Sequence, residues 1–186
     1  ERVYGLSLDQ SWAQWIDWEH GFQQENLRAV HEHPVTEFHD LTKKDLGGVS
    51  RACLSADGSR LYAGVEYPGQ VPHLVSIDRS DGKVTELKEV KGTVGYMVTS
   101  LACDPATDTL FYTMNNGAHR DLEALDLRTG KSRMLLKAAR IGDIVFNQAD
   151  RSLWGLRMNN GFALLVRIPF PYQEWQTLHV FPSGQK

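Results

Sequence analysis

The feature of this sequence that most constrains its fold is an internal repeat that recurs four times. The hexapeptide Leu6–Ser11 is followed by similar segments that begin at Leu54, Cys103 and Asn147. A glycine suited to a turn follows each copy, namely Gly21, Gly69, Gly117 and Gly161. A period of roughly 40–50 residues built from short strands is typical of propeller blades. We therefore expect one continuous array of similar sheet units.

The second repeat shows the strand pattern most clearly. Apolar and polar residues alternate within short segments, and an Asp81-Gly82 pair marks a tight hairpin. The four predicted strands are Arg51–Ser55, Arg60–Glu66, His73–Asp78 and Lys83–Lys88. The chain is thus predicted to be all-β, a β-propeller of four four-stranded antiparallel blades, with blades at about 1–48, 49–98, 99–141 and 142–186.

The third and fourth repeats follow the same plan. Their predicted strands are Leu110–Met114, Leu122–Leu127, Ser132–Leu136, Leu153–Met158, Leu164–Ile168 and Trp175–Phe181. In the fourth repeat, Pro169–Tyr172 replaces the last glycine turn. Because proline in a strand favours edges and bulges, we expect the last blade to depart in shape.

The first repeat supports two interpretations. Trp12, Trp15 and Trp18 are spaced as on a helix, but the repeat aligns them with a strand of the second copy. The alignment with the second copy favours strands over a helix, and it predicts strands at Trp12–Trp18, Leu27–His31 and Val35–His39. Related aromatic positions in the four copies are expected to fill the space between blades, at Trp12, Tyr62, Tyr112 and Trp154.

The number of predicted blades does not show whether the ring is complete. Four blades can close a ring, whereas six to eight are usual in similar families. The chain is therefore either a small ring or a piece of a larger propeller. In the second case the missing blades lie outside this chain or in a second copy, as a homodimer. The chain does not begin with Met, and we expect a segment processed or excised from a longer protein.

The charge and composition of the chain argue against two kinds of association, with nucleic acid and through a membrane span. The net charge is −3 and lysines and arginines are scattered, which argues against a nucleic-acid partner. No apolar run approaches the roughly 20 residues of a membrane span. Cys53 and Cys103 occupy equivalent places in neighbouring repeats. We expect two buried thiols, with a disulfide between adjacent inner strands as the alternative.

One stretch of the second repeat resembles the TolB-like repeat, which also builds the propeller of prolyl-oligopeptidase-type enzymes. The resemblance is carried by Leu54–Tyr62, then Ile77-Asp78 and Gly82–Leu87. The third repeat carries it through Asp104-Pro105, Leu110, Tyr112 and Leu125-Asp126. The resemblance covers most of residues 50–136 and implies a propeller architecture and an extracytoplasmic bacterial location. It implies no particular activity.

The candidate site follows from the propeller architecture. Loops between the second and third strands, and those joining successive blades, gather on one face. The predicted ligand-binding residues there are Glu66, Tyr67, His73, Asn115, Asn116, His119, Arg120, Asn159 and Asn160, and the first repeat would add Asp17, Glu19 and His20. The repeated Met-Asn-Asn-Gly segment is interpreted first as a tight turn and alternatively as paired amides around a channel mouth.

Catalytic signatures are not evident in the sequence. It contains neither a G-x-S-x-G nucleophile elbow nor a phosphate loop. His31 and His33 flank Pro34 and are expected to be exposed, so we predict no metal site and no cofactor. Turn aspartates, among them Asp57, Asp78, Asp81 and Asp126, are expected to accept hydrogen bonds from local backbone N–H groups.

Three functions are compatible with these features of the sequence. The first is a non-catalytic propeller that serves as a binding platform for a protein, peptide or other ligand. The second is a propeller that gates or supports a hydrolase or peptidase domain encoded elsewhere in a longer chain. The third is a metal-dependent propeller hydrolase such as a lactonase, which would use Glu66, Asn115 and Asn159. We favour the first.

Overall fold

The computed structural model of the protein describes residues 5–34, 36–90, 100–116 and 119–182. The chain divides into two compact units, Glu1–Asp40 and Leu41–Lys186. The first unit contains one helix, α1 (Leu8–His31), and the second contains thirteen strands. Within the described residues, no helix is both long enough and apolar enough to cross a membrane.

Helix α1 corrects the prediction of strands in the first repeat. Ser7 caps the helix, because its Oγ accepts a hydrogen bond from Gln10 N at 3.2 Å, while Gln10 Oε1 accepts one from Ser7 N at 3.0 Å. The second copy of the repeat instead needs a turn, in which Gly58 takes a φ of +70°. In the first copy Gln10 stands at that place and its side chain completes the capping box, so this copy of the hexapeptide starts a helix.

The first sheet, blade A, contains β1 (Gly48–Val49), β2 (Cys53–Leu54), β3 (Arg60–Glu66), β4 (His73–Asp78) and β5 (Val84–Glu89). The short strands β1 and β2 both pair with β3, and together they occupy the place of one inner strand. All pairings are antiparallel, in the order inner strand, β3, β4, β5.

Two further four-stranded antiparallel sheets follow. Blade B contains β6 (Ser100–Asp104), β7 (Thr109–Asn116), β8 (His119–Asp126) and β9 (Ser132–Leu136). Blade C contains β10 (Ile141–Asn147), β11 (Ser152–Asn159), β12 (Phe162–Ile168) and β13 (Gln176–Val180). The predicted strands of the second, third and fourth repeats are confirmed, with ends that shift by one or two residues in most cases.

The apolar core lies between successive blades. Between blades A and B, Tyr62 and Leu74 pack with Leu101, Leu110 and other buried side chains. Between blades B and C, a second cluster is built from residues of both sheets, including Phe111, Leu122, Ile144, Leu153 and Val166. Burial of these faces is what makes repeated blades stable together.

The aromatic residues predicted to lie between blades have three different environments. Tyr62 and Tyr112 are buried at the junction of blades A and B, as expected. Trp154, on β11, is half-buried. Trp12 is 61% exposed on α1, so its predicted position between blades was wrong.

A disulfide joins the inner strands of blades A and B. Cys53 in β2 is bonded to Cys103 in β6, and their Cα atoms are 6.3 Å apart. The expectation of two free buried thiols was therefore wrong, and the alternative is correct. Adjacent inner strands approach within bridging distance here because blades converge toward the axis of the array.

The three sheets form a partial propeller whose ring is not closed. Blade C ends the described array, and its last strand, β13, is exposed along its whole length. Val145, Leu156 and Met158 are also exposed on this blade.

Candidate functional site

The inner strands of neighbouring blades run in the same direction, so the equivalent loops of the blades lie at the same end of the array. Ser100 Oγ, at the start of β6, accepts a hydrogen bond from Ile144 N in β10 at 2.5 Å. At the other end of β6, Asp104 meets Arg151, just beyond β10, at 2.8 Å. The inner strands therefore run in parallel, and the connections from second to third strands share one end. We call it the loop end, and the opposite end the turn end.

In blade A, the loop end contains three of the predicted site residues. Glu66 ends β3 and pairs with Gly48, and Tyr67 begins a turn in which its carbonyl accepts a hydrogen bond from Gln70 N at 3.0 Å. His73 begins β4, and its Nε2 lies 3.7 Å from a carboxylate oxygen of Glu86. A cavity of about 150 Å³ is lined by Tyr67 and His73 together with residues of β5 and of the segment before β1.

In blade B, the loop end contains four predicted site residues. Asn115 and Asn116 are the last residues of β7 and pair with Arg120 and His119, the first residues of β8. The predicted turn at Gly117 lies outside the described residues. His119 and Arg120 are half-buried, and His119 contacts Arg140 in the connection that leads into blade C.

This connection contributes residues that the sequence analysis did not single out. Arg140 donates from Nε to His119 Nδ1 at 3.2 Å, so that His119 acts as an acceptor. The backbone N–H of Arg140 donates to the carbonyl of Arg120 at 3.0 Å, and its carbonyl accepts from Met158 N at 3.0 Å. These bonds connect the loop ends of blades B and C through Arg140.

In blade C, the two predicted asparagines form a hairpin turn. Asn159 ends β11 and pairs with Phe162, while Asn160 and Gly161 have φ values of +48° and +81°. Two successive residues with positive φ are what a type I′ hairpin requires, and Asn-Gly is the favoured pair. The interpretation of this segment as a tight turn is confirmed for blade C.

Three residues predicted on this face lie elsewhere in the chain. Asp17, Glu19 and His20 belong to α1 in the other compact unit. They were assigned to the loop face only because the first repeat was predicted to form a blade, so this assignment is corrected. His31, the last residue of α1, and His33 are exposed, as expected.

A groove of about 420 Å³ follows the inner strands of all three blades. The Cys53–Cys103 disulfide lies in its wall, among mostly apolar side chains. Arg51 is the one ionisable side chain among its described lining residues, and it lies 3.6 Å from Asp143. The groove offers shape and apolar contact rather than acid–base groups.

The turn end contains carboxylates that serve the backbone, as predicted. Asp78 Oδ1 accepts from Ser80 N at 2.8 Å, and Asp81 Oδ1 accepts from Lys83 N at 2.8 Å. Hydrogen bonds from the Ser55 hydroxyl, and then from Ser59, lower the pKa of Asp57 to about 2. Asp57 is therefore ionised at neutral pH, and the three aspartates hold the turns.

Within the part of the chain that the structure describes, no three His, Cys, Asp or Glu side chains are grouped so that they could hold a metal ion. The predicted contact residues of the loop end are mostly arginine, histidine, asparagine and tyrosine, together with Glu66. Such groups donate hydrogen bonds and offer flat apolar surface, which suits recognition of another molecule.

Comparison with solved structures identifies the architecture. TolB from Acinetobacter baumannii is similar, with a TM-score of 0.59 and 14% identity over 71% of this chain and 32% of that one. A chain of a nidogen/laminin complex gives a TM-score of 0.56 and 13% identity over 71% and 47%. Acylaminoacyl peptidase, in complex with a chloromethyl ketone, gives 0.51 and 14% over 72% and 24%.

These similarities show a TolB-like propeller fold, as the repeat indicated, with hydrolase-associated propellers among its structural neighbours. The chain spans 32% and 47% of the length of the first two of these structures. No protein-family model matches the sequence, and no curated protein matches it either.

Proposed function

We propose that the chain is a non-catalytic propeller whose loop end binds a protein or a peptide. The observation that carries the proposal is the rigid presentation of contact residues at this end. Backbone hydrogen bonds from Arg140 to Arg120 and from Met158 to Arg140 fix the connection between two blades. Loops held by a rigid scaffold are where binding residues concentrate.

The side chains at the loop end are of the types that dominate binding energy. Tyr67 is 41% exposed, and Arg120 lies on the neighbouring blade. Tyrosine and arginine are enriched among interface residues whose truncation costs more than about 1 kcal/mol. The similarity to a propeller chain from a nidogen/laminin complex supports the idea that such a scaffold can engage a protein. We propose all nine loop residues predicted from the sequence as contact residues.

We also propose an extracytoplasmic location and a larger ring. Disulfides persist in oxidising compartments and are rare in the cytosol, and the Cys53–Cys103 disulfide supports such a location. The exposed apolar residues of blade C support further blades beyond this array, from a longer chain or a second copy. In the alternative function, the propeller supports a peptidase domain elsewhere in the protein. The similarity to acylaminoacyl peptidase favours it as the second candidate.

Selection of peptides tests the proposed function. A library of random peptides is selected on the immobilised chain, and the affinity of synthetic copies is measured in solution by fluorescence anisotropy. We expect Tyr67→Ala and His73→Ala to weaken binding about five-fold or more, which corresponds to about 1 kcal/mol. Arg79→Ala at the turn end is the matched control and should leave the affinity unchanged.

Two results would contradict the proposal. One is a set of selected peptides whose affinities respond to the control substitution but not to the loop-end substitutions. The other is turnover of a peptide or ester substrate by the purified chain that is lost when one loop-end residue is replaced.

A further inference from the structure

Four cationic side chains belong to the junction of blades B and C at the loop end. We call this set the basic cluster: Arg120, Lys137, Arg140 and Arg157. Arg120 begins β8, Lys137 and Arg140 lie in the connection after β9, and Arg157 lies near the end of β11. The chain as a whole has a net charge of −3, so the positive charge of the basic cluster is opposite in sign to the net charge of the chain.

Two carboxylates near the basic cluster, Asp121 and Asp143, contact other groups. Asp121 is buried, and its Oδ1 accepts a hydrogen bond from Ala138 N at 2.6 Å. Asp143 lies 3.6 Å from Arg51, on the inner strand of blade A. Among the described residues, none of the four cations of the basic cluster forms an ion pair with a carboxylate.

The arginines are nevertheless held in place by other contacts. Arg140 donates from Nε to His119 Nδ1 at 3.2 Å, and Arg157 donates from Nε to the carbonyl of Ala139 at 3.1 Å. The Arg157 guanidinium also lies over the ring of Trp175, 4.7 Å from its centroid. These bonds use the Nε atoms, and within the described part of the chain the terminal Nη groups of both side chains have no hydrogen-bond acceptor.

The guanidinium end of the Arg120 side chain lies against a glycine of blade C. A Cβ added to Gly142, at the start of β10, would collide with Nη1 of Arg120. Glycine at this place therefore leaves room for the guanidinium against the blade C backbone. The guanidinium groups of Arg120 and Arg140 thus come from adjacent backbone segments, joined by the 3.0 Å bond from Arg140 N to the Arg120 carbonyl.

We propose that the basic cluster binds the carboxylates of an acidic peptide segment, one rich in glutamate and aspartate. The inference rests on the proposed function and names the chemistry of its partner. Guanidinium groups bind carboxylates through paired, charge-assisted hydrogen bonds. A nucleic acid is disfavoured because its affinity comes from many phosphate contacts, and the other lysines and arginines of the chain are scattered.

The test uses three fluorescein-labelled hexapeptides of glutamate, glutamine and lysine, and a labelled six-nucleotide DNA strand. Binding to the chain is followed by anisotropy at low salt and at 0.2 M salt. We expect hexaglutamate to bind, hexaglutamine and hexalysine to bind at least ten-fold more weakly, and the affinity for hexaglutamate to fall as salt rises.

Variants locate the interaction. Arg120→Gln and Arg140→Gln should each weaken hexaglutamate binding about two- to five-fold, as expected for exposed ion pairs. Gly142→Ala keeps every charge but moves the Arg120 guanidinium, and it should weaken binding less than Arg120→Gln does. Lys131→Gln, an equal change of charge in the exposed turn after β8, is the control and should have no effect. Far-UV circular dichroism confirms that each variant is folded.

The outcomes separate this inference from the proposed function. If hexaglutamate fails to bind while library-selected peptides still bind at the loop end, the acidic specificity is wrong and the platform stands. If no peptide of either kind binds, both are wrong. Equal weakening by Lys131→Gln would show non-specific attraction, and stronger binding of the DNA strand than of hexaglutamate would show a phosphate-binding surface. Either result overturns the inference.

Discussion

Removal of the disulfide between blades A and B should lower the stability of the array by several kcal/mol. Cys53 and Cys103 are separated by 50 residues of sequence, and cross-linking a loop of that size removes chain entropy from the unfolded state. The loop-length relation gives roughly 4 kcal/mol at 25 °C, within the usual range of about 2–5 kcal/mol. That is a large share of the roughly 5–15 kcal/mol that stabilises a typical domain.

The measurement is urea denaturation of the wild type and of a Cys53→Ser/Cys103→Ser double variant, followed by far-UV circular dichroism. With a slope of about 2 kcal/mol per molar urea, the double substitution should lower the midpoint by about 1.5–2 M. Reduction of the wild type should produce a shift of similar size, and reductant should not affect the double variant.

Two results would refute the reasoning. One is a midpoint that moves by less than about 0.3 M on both reduction and substitution. The other is the titration of two free thiols in the unreduced, unfolded wild type, which would show that the bond does not form.

Two further predictions concern charged groups at the turn end. Arg151→Ala should destabilise the array by about 1–2 kcal/mol in urea denaturation, because it removes the 2.8 Å partner of the buried Asp104 carboxylate. The exposed pair that Arg128 forms at 3.8 Å serves as the control, and Arg128→Ala should cost less than about 0.5 kcal/mol. Hydrogen bonding by the Ser152 hydroxyl, and then by other groups, lowers the pKa of Asp150 to about 2. Its stabilising contribution should therefore be present above pH 4 and be lost as the pH falls toward 2, and NMR titration of its side-chain carboxyl should give the midpoint.

Strands were predictable wherever apolar and polar residues alternate along the strand and a glycine turn follows it. In blade A, Arg60–Glu66 and His73–Asp78 were predicted with the bounds that the structure gives them. Each of these strands is followed by a turn that contains glycine, with Gly69 at a φ of +82° and Gly82 at +71°. Here the apolar period and the turn chemistry agree.

The first repeat shows where similarity of pattern misleads. Ser7 matches Ser55 of the next copy, but Ser55 accepts a turn hydrogen bond from Arg60 N at 3.0 Å, whereas Ser7 caps a helix. In the first copy Gln10 completes a capping box from the place at which Gly58 and Arg151 take φ values of +70° and +56° in turns. A copy that forms a capping box ahead of helically spaced apolar residues should therefore be judged by that local spacing, here that of the tryptophans.

The disulfide and the basic cluster depend on packing between blades, which no local pattern encodes. The Cα separation of 6.3 Å between the two cysteines is set by the angle at which the blades meet. Arg120, Arg140 and Arg157 are distant in sequence and converge only where β8, the connection after β9, and β11 meet. A signal was nonetheless present, because loops joining successive blades were predicted on the same face as Arg120.

The most direct test of the loop-end account is an NMR titration of the ¹⁵N-labelled chain with a peptide selected from the library. The account predicts chemical-shift changes concentrated at the loop end, at Tyr67, His73, His119, Arg120 and Asn160, with the turn end around Asp57 and Arg79 unchanged. Changes centred on the turn end, or on the inner-strand groove alone, would contradict it.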